Sequence, residues 1–135
     1  DIDVGRLSEP HAKIILTPHP ADVKNTPGFE TAVQQEIQSA QGPVFVKYHP
    51  RFDDYDALKL AAAGARVLPK NMAFEFLLPL LNAQAEVVGD LTTALLSTRW
   101  MRPEIKVRAI GCLSEQVDPR LLMLYKRFDV EVANA

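Results

Sequence analysis

A three-layer α/β/α domain built on a mostly parallel sheet of five to six strands is the fold the sequence predicts. Three observations lead there. Short runs rich in β-branched residues recur along the chain, segments with helical spacing lie between them, and the runs are nearly continuous in apolar residues where a half-exposed strand would alternate. A strand that is apolar toward both faces is covered on both faces, which is the condition of a parallel sheet between two layers of helices.

The strand runs are Lys13 to Thr17 (KIILT), Val44 to Lys47 (VFVK), Ala65 to Leu68 (ARVL), Glu86 to Gly89 (EVVG) and Ile105 to Ile110 (IKVRAI), with a weaker one at Val130 to Val132. The clearest helix carries Phe29, Ala32, Val33, Ile37 and Ala40 on one face, with Thr26-Pro27 expected as cap and first-turn proline. A second helix is expected from Asp53 or Asp54 to Ala63, with acidic residues in the first turn and Gly64 as its stop. A third is expected over Met72 to Leu81, kinked or cut short by Pro79, because proline removes a hydrogen-bond donor from the helix interior. The fourth covers Thr92 to Met101 and ends before Pro103; the fifth starts at Asp118-Pro119 and reaches Phe128. Strand and helix thus alternate with short connections, the pattern of a Rossmann-like domain. Residues 1–12 are polar, with Gly5 and Pro10, and read as a linker or interdomain remnant before a single domain over 13–135. With no initiator Met at Asp1, the chain is expected to be excised from something longer.

Composition narrows the function classes. An apolar fraction of 47% over 135 residues is enough for a real core and argues against disorder. The formal charge of −2 offers no concentrated basic surface, so no nucleic-acid partner is expected and any phosphate must be bound locally. Glu75, Asn82, Glu86 and Asp90 interrupt the apolar stretches before they reach membrane-spanning length. Cys112 is the only cysteine, which rules out an internal disulfide and a cysteine-rich zinc site; it reads as structural.

In open parallel sheets ligands bind beyond the carboxyl ends of the strands, near the point where strand order reverses. Two clusters fall at such ends. Lys47-Tyr48-His49-Pro50-Arg51 places three groups able to carry positive charge inside five residues, a composition that suits an anion; the alternative is a solvated strand end. Gly89-Asp90-Leu91-Thr92-Thr93 brings two hydroxyls to a helix start, where amides and dipole favour phosphate; the alternative is an ordinary cap. Glu75, between Phe74 and Phe76, is either a solvent-facing carboxylate or an acceptor for a ribose hydroxyl pair. His19-Pro20, in TPHPAD, is a second His-Pro pair and reads as loop chemistry facing the cleft, with Thr17 as an additional donor contact; His11 reads as solvated.

The ordered set VFVKYHPR, LPKNMAFEFL and EVVGDLTTALLS resembles the donor-binding half of bacterial sialyltransferases and polysialyltransferases, two-domain enzymes of the GT-B fold. The resemblance runs over residues 13–111 and rests on a His-Pro pair preceded by lysine, then a glutamate on a helix, then a hydroxyl pair after a glycine-containing strand end. It implies that His49 is catalytic, contacting the CMP phosphate and helping the nucleotide leave, with Lys47 and Arg51 nearby and Pro50 against the cytosine. It further implies Glu75 on the ribose and Thr92 and Thr93 on the phosphate, threonines where the family often has serines. The implied reaction is metal-independent, inverting transfer from CMP-sialic acid to a glycan acceptor, with no cofactor, at a cytoplasmic site or the inner face of a membrane through peripheral association. The family's general base lies in an N-terminal domain, and Asp1, Asp3 and Glu9 form only a short tail, so the chain alone is expected to bind donor without turnover. Two other readings stand beside this one: a GT-B donor domain for a UDP-sugar, and a non-catalytic α/β interaction or regulatory module.

Overall fold

A computed structural model of the chain describes residues 4–90, 93–110 and 119–132. It contains a six-stranded sheet in the order β3-β2-β1-β4-β5-β6, in which every pairing is parallel. The strands are β1 (Lys13–Leu16), β2 (Val44–Lys47), β3 (Arg66–Val67), β4 (Glu86–Gly89), β5 (Lys106–Ala109) and β6 (Glu131–Val132). The expected Rossmann-like α/β architecture is therefore the one observed, with all six strand runs present and the two edge strands reduced to two residues each.

The apolar runs divide between two cores because successive side chains on a strand point to opposite faces. Ile14 and Leu16 of β1, Phe45 of β2 and Val87 of β4 face one core. Ile15, Val44, Val46 and Val88 face the other. Helix α3 (Phe29–Gln38) covers the second core with Phe29, Val33 and Ile37. Helices α4 (Thr93–Met101) and α5 (Pro119–Arg127) cover the first through Leu95 and Tyr125. Residues 1–12, expected as a linker or remnant, include a short helix α1 (Val4–Leu7) whose Leu7 is fully buried in the first core, as is Ala12. No described helix is long and apolar enough to cross a membrane.

Several expected elements differ. Residues 53–64 form a succession of turns and no helix. The Asp56 carboxylate accepts the amides of Leu60 and Ala61, each at 2.9 Å, and Lys59 takes a left-handed φ of 56°, which interrupts any helical run. Met72 to Leu81 resolves into two 3-10 turns, Phe74–Phe76 and Leu78–Leu80; Pro79 sits inside the second and cannot donate to a continuous α-helical ladder. Thr26 does not cap α3. Its hydroxyl donates to the Asp22 carbonyl at 2.7 Å, and the cap position is Gly28, whose φ of 83° suits a residue without Cβ. A short helix α2 (Pro20–Lys24), not foreseen in the sequence, follows β1 with His19 as its cap. Leu91, Thr92, Cys112 and Asp118 lie outside the described residues.

Candidate functional site

The strand order reverses between β1 and β4, since β2 and β3 build outward on one side of β1 and β4 to β6 on the other. Beyond the carboxyl ends of β1, β2 and β4 opens a cleft of about 380 Å³, with Thr17, His19, Lys47, His49, Pro50 and Asp90 among its walls. This is where a doubly wound sheet leaves room for a ligand, because the connections from adjacent strands diverge to opposite faces. Gly89 ends β4 just before Asp90, which lines the cleft. A Cβ there would stand 3.1 Å from the Leu16 carbonyl oxygen and 3.2 Å from its Cβ, so a glycine lets β4 end tight against β1.

Each wall follows from local chain behaviour. Lys47 is the last residue of β2, 8% exposed, and its ammonium donates to the Lys70 carbonyl at 3.0 Å. Burial lowers its pKa, and the negative charge of Glu75 opposes that shift, which places Glu75 within electrostatic reach of Lys47 although its own side chain is exposed on the first 3-10 turn. The His49 backbone amide donates to the Thr17 hydroxyl at 2.9 Å, tying the loop after β2 to the loop after β1. The imidazole of His49 accepts the Arg51 amide on Nδ1 at 3.1 Å. That bond leaves Nε2 of the neutral ring to carry the proton. Burial lowers the His49 pKa first, the charges of His19, Arg51 and Lys47 add to the shift, and Asp22 opposes it. His49 is accordingly a neutral N–H donor at neutral pH.

His49 and Lys47 thus share the cleft with Pro50 and with Thr17, while Arg51 is exposed. Thr92 lies outside the described residues, as does the side chain of Thr93, whose backbone opens α4; the next residue, Ala94, lines the cleft. Sequence reasoning gave His19 only a loop role. The structure sets its ring edge-on to that of His49, with centroids 5.2 Å apart and planes at 63°. Asp22 and Asp90 also line the cleft, one from α2 and one from the end of β4. The signal that marks His19 is the repeat of the His-Pro dipeptide after two successive strands. Among the described residues no group of three or more His, Cys, Asp or Glu side chains is placed to hold a metal.

Fold and cleft together define a doubly wound α/β domain with a cleft at its topological switch point that is lined by groups of both charges. Comparison with protein-family models, with curated proteins and with solved structures finds no match for the chain.

Proposed function

We propose that the chain is the donor-binding domain of a sialyltransferase-like glycosyltransferase, taking CMP-sialic acid into the switch-point cleft for inverting, metal-independent transfer to a glycan acceptor. The observation that carries this reading is the seating of His49 and the buried Lys47 on the wall of that cleft, with the His49 amide fixed by Thr17. A fixed N–H donor beside a buried ammonium, in a site partly screened from water, is suited to a phosphate.

In this reading Nε2–H of His49 and the ammonium of Lys47 meet the phosphate, Pro50 lies against the cytosine, and Glu75 takes the ribose hydroxyls. Thr92 and Thr93 add donors to the phosphate. The acceptor oxygen attacks the anomeric carbon, the bond from that carbon to the phosphate oxygen breaks, and CMP carries away the electron pair. A carboxylate of the acceptor-binding domain removes the acceptor proton, so this chain by itself binds donor and does not turn it over. The phosphate's negative charge offsets the burial and the neighbouring positive charges that lower the His49 pKa, and so favours a proton on that ring. Such a domain works at a cytoplasmic site or, through peripheral association, at the inner face of a membrane.

Calorimetric titration of the chain with CMP and with UMP tests the reading. CMP is expected to bind more tightly, and His49→Ala to weaken it by about 1–3 kcal/mol, the scale of a lost charge-assisted hydrogen bond. Preference for UMP would point to a UDP-sugar enzyme. Absence of binding to either nucleotide would favour a non-catalytic module.

A further inference from the structure

We propose that His19 and His49 form a two-histidine clamp on one phosphoryl group, and that the cleft takes up a proton as the clamp closes on its anion. The inference rests on the donor-binding reading and adds to it a second histidine and a linkage to pH.

The two histidines are built alike. Strands β1 and β2 are parallel neighbours with Leu16 opposite Lys47, so the loops that follow them leave the sheet side by side. Each loop carries His-Pro, and each histidine accepts on Nδ1 the amide two residues on: Ala21 to His19 at 3.0 Å, Arg51 to His49 at 3.1 Å. Proline at the intervening position has no amide to compete for the ring. With Nδ1 an acceptor in both, both neutral rings carry their proton on Nε2. Two rings 5.2 Å apart, held by the same backbone device on the wall of one cleft, can each give an N–H to one of two oxygens of a tetrahedral phosphoryl group. His19 is exposed, so its ring is open to a ligand as it stands.

The charges around the pair explain the proton. His49 faces His19 from the β1 loop, Asp22 from α2, Lys47 from the end of β2 and Arg51 from its own loop, with Asp90 across the cleft from the end of β4. Glu75 acts at one remove, through Lys47. Burial, and after it the charges of His19, Arg51 and Lys47, oppose a proton on His49. CMP, the product of the proposed transfer and a phosphate monoester with close to two negative charges, offsets these effects and favours a proton on His49. Binding is then tightest where the phosphate is still doubly ionised and His49 still accepts a proton, and weakens as pH rises above that range.

The test uses the whole chain, titrated calorimetrically with CMP, cytidine and inorganic phosphate in buffers of different ionisation enthalpy. His19→Asn separates the ring's two roles, because an Asn oxygen can still accept the Ala21 amide while the Nε2 donor is gone. The expected result is proton uptake with CMP and none with cytidine, and a loss of CMP affinity of about tenfold or more in His19→Asn. In the unsubstituted protein, proton NMR is expected to show the ring resonances of both histidines shifting when CMP is added; a change at His49 alone overturns the clamp. CMP bound equally by the protein and by His19→Asn overturns the clamp and leaves the donor-binding reading intact. Inorganic phosphate bound in a His19-dependent way, with CMP no tighter than phosphate, keeps the clamp and removes the donor reading. A chain that binds neither CMP nor phosphate loses both.

Discussion

The carboxylate of Asp56 decides how the chain leaves β2. It accepts the hydroxyl of Tyr48, a ring that is 1% exposed, together with the amides of Leu60 and Ala61. Burial alone would raise the Asp56 pKa; the Tyr48 hydroxyl and the two amides outweigh it and hold the group below an ordinary aspartate. The tyrosine responds in the other sense, its proton held by burial and by the carboxylate. Asp56→Ala strands the Tyr48 hydroxyl without its acceptor and frees two turn amides, so it is expected to cost about 1–3 kcal/mol in urea unfolding. Because Tyr48 sits between Lys47 and His49, the same variant is expected to loosen the cleft wall. The residues of that wall were unequally legible in the sequence. Lys47 and His49 stand out because basic groups crowd one strand end. His19 does not, since only the pairing of β1 with β2 reveals that two His-Pro loops are neighbours.

Among elements, α3 is fastened to the sheet by charge as well as by its apolar face. Glu36, which lies on the inward side of the helix, receives the Lys13 ammonium of β1 at 2.7 Å and the Arg108 guanidinium of β5 at 2.5 Å. Arg108 is shared with Glu86 of β4, also at 2.5 Å. Burial pushes the Glu36 pKa up, but Arg108 and Lys13 together bring it below the usual glutamate value of 4.5. A carboxylate whose folded pKa is depressed stabilises the fold above its unfolded pKa and loses that contribution as pH falls through the folded value. Glu36→Gln is therefore expected to flatten the acid limb of a plot of unfolding free energy against pH below about 4.5. Glu36→Ala leaves Lys13, with a side chain 6% exposed, without its counter-charge, and is expected to cost roughly 3 kcal/mol at pH 7, the low end for a broken buried pair because Arg108 keeps Glu86. The helical spacing of α3 was plain in the sequence, as were the strand runs. The segments at 53–63 and 72–81 have helical composition, and what defeats the helix is specific: a side-chain carboxylate that takes the turn amides in one, and Pro79 in the other.

For the molecule as a whole, alternation of strands and helices gave the class of fold, because apolar runs covered on both faces have few other solutions. Which strands become neighbours is not written in any local pattern, and the cleft exists only through that order: residues near 17, 49 and 90 meet because β1 lies between β2 and β4. The position of β1 also bears on how the chain is made. The strand that ends at the centre of the sheet is made before both strands that pair with it, and all four of its residues are destined to be buried. One edge can be paired once Val44–Lys47 has been made, but the other stays open until residue 86 is added. During that interval a hydrophobic strand presents unsatisfied amides and carbonyls to any other nascent chain. A fragment stopped at residue 80 is expected to pellet on sedimentation while one that includes β4 to β6 stays in solution; equal solubility of the two would show that the early half shields its own edge.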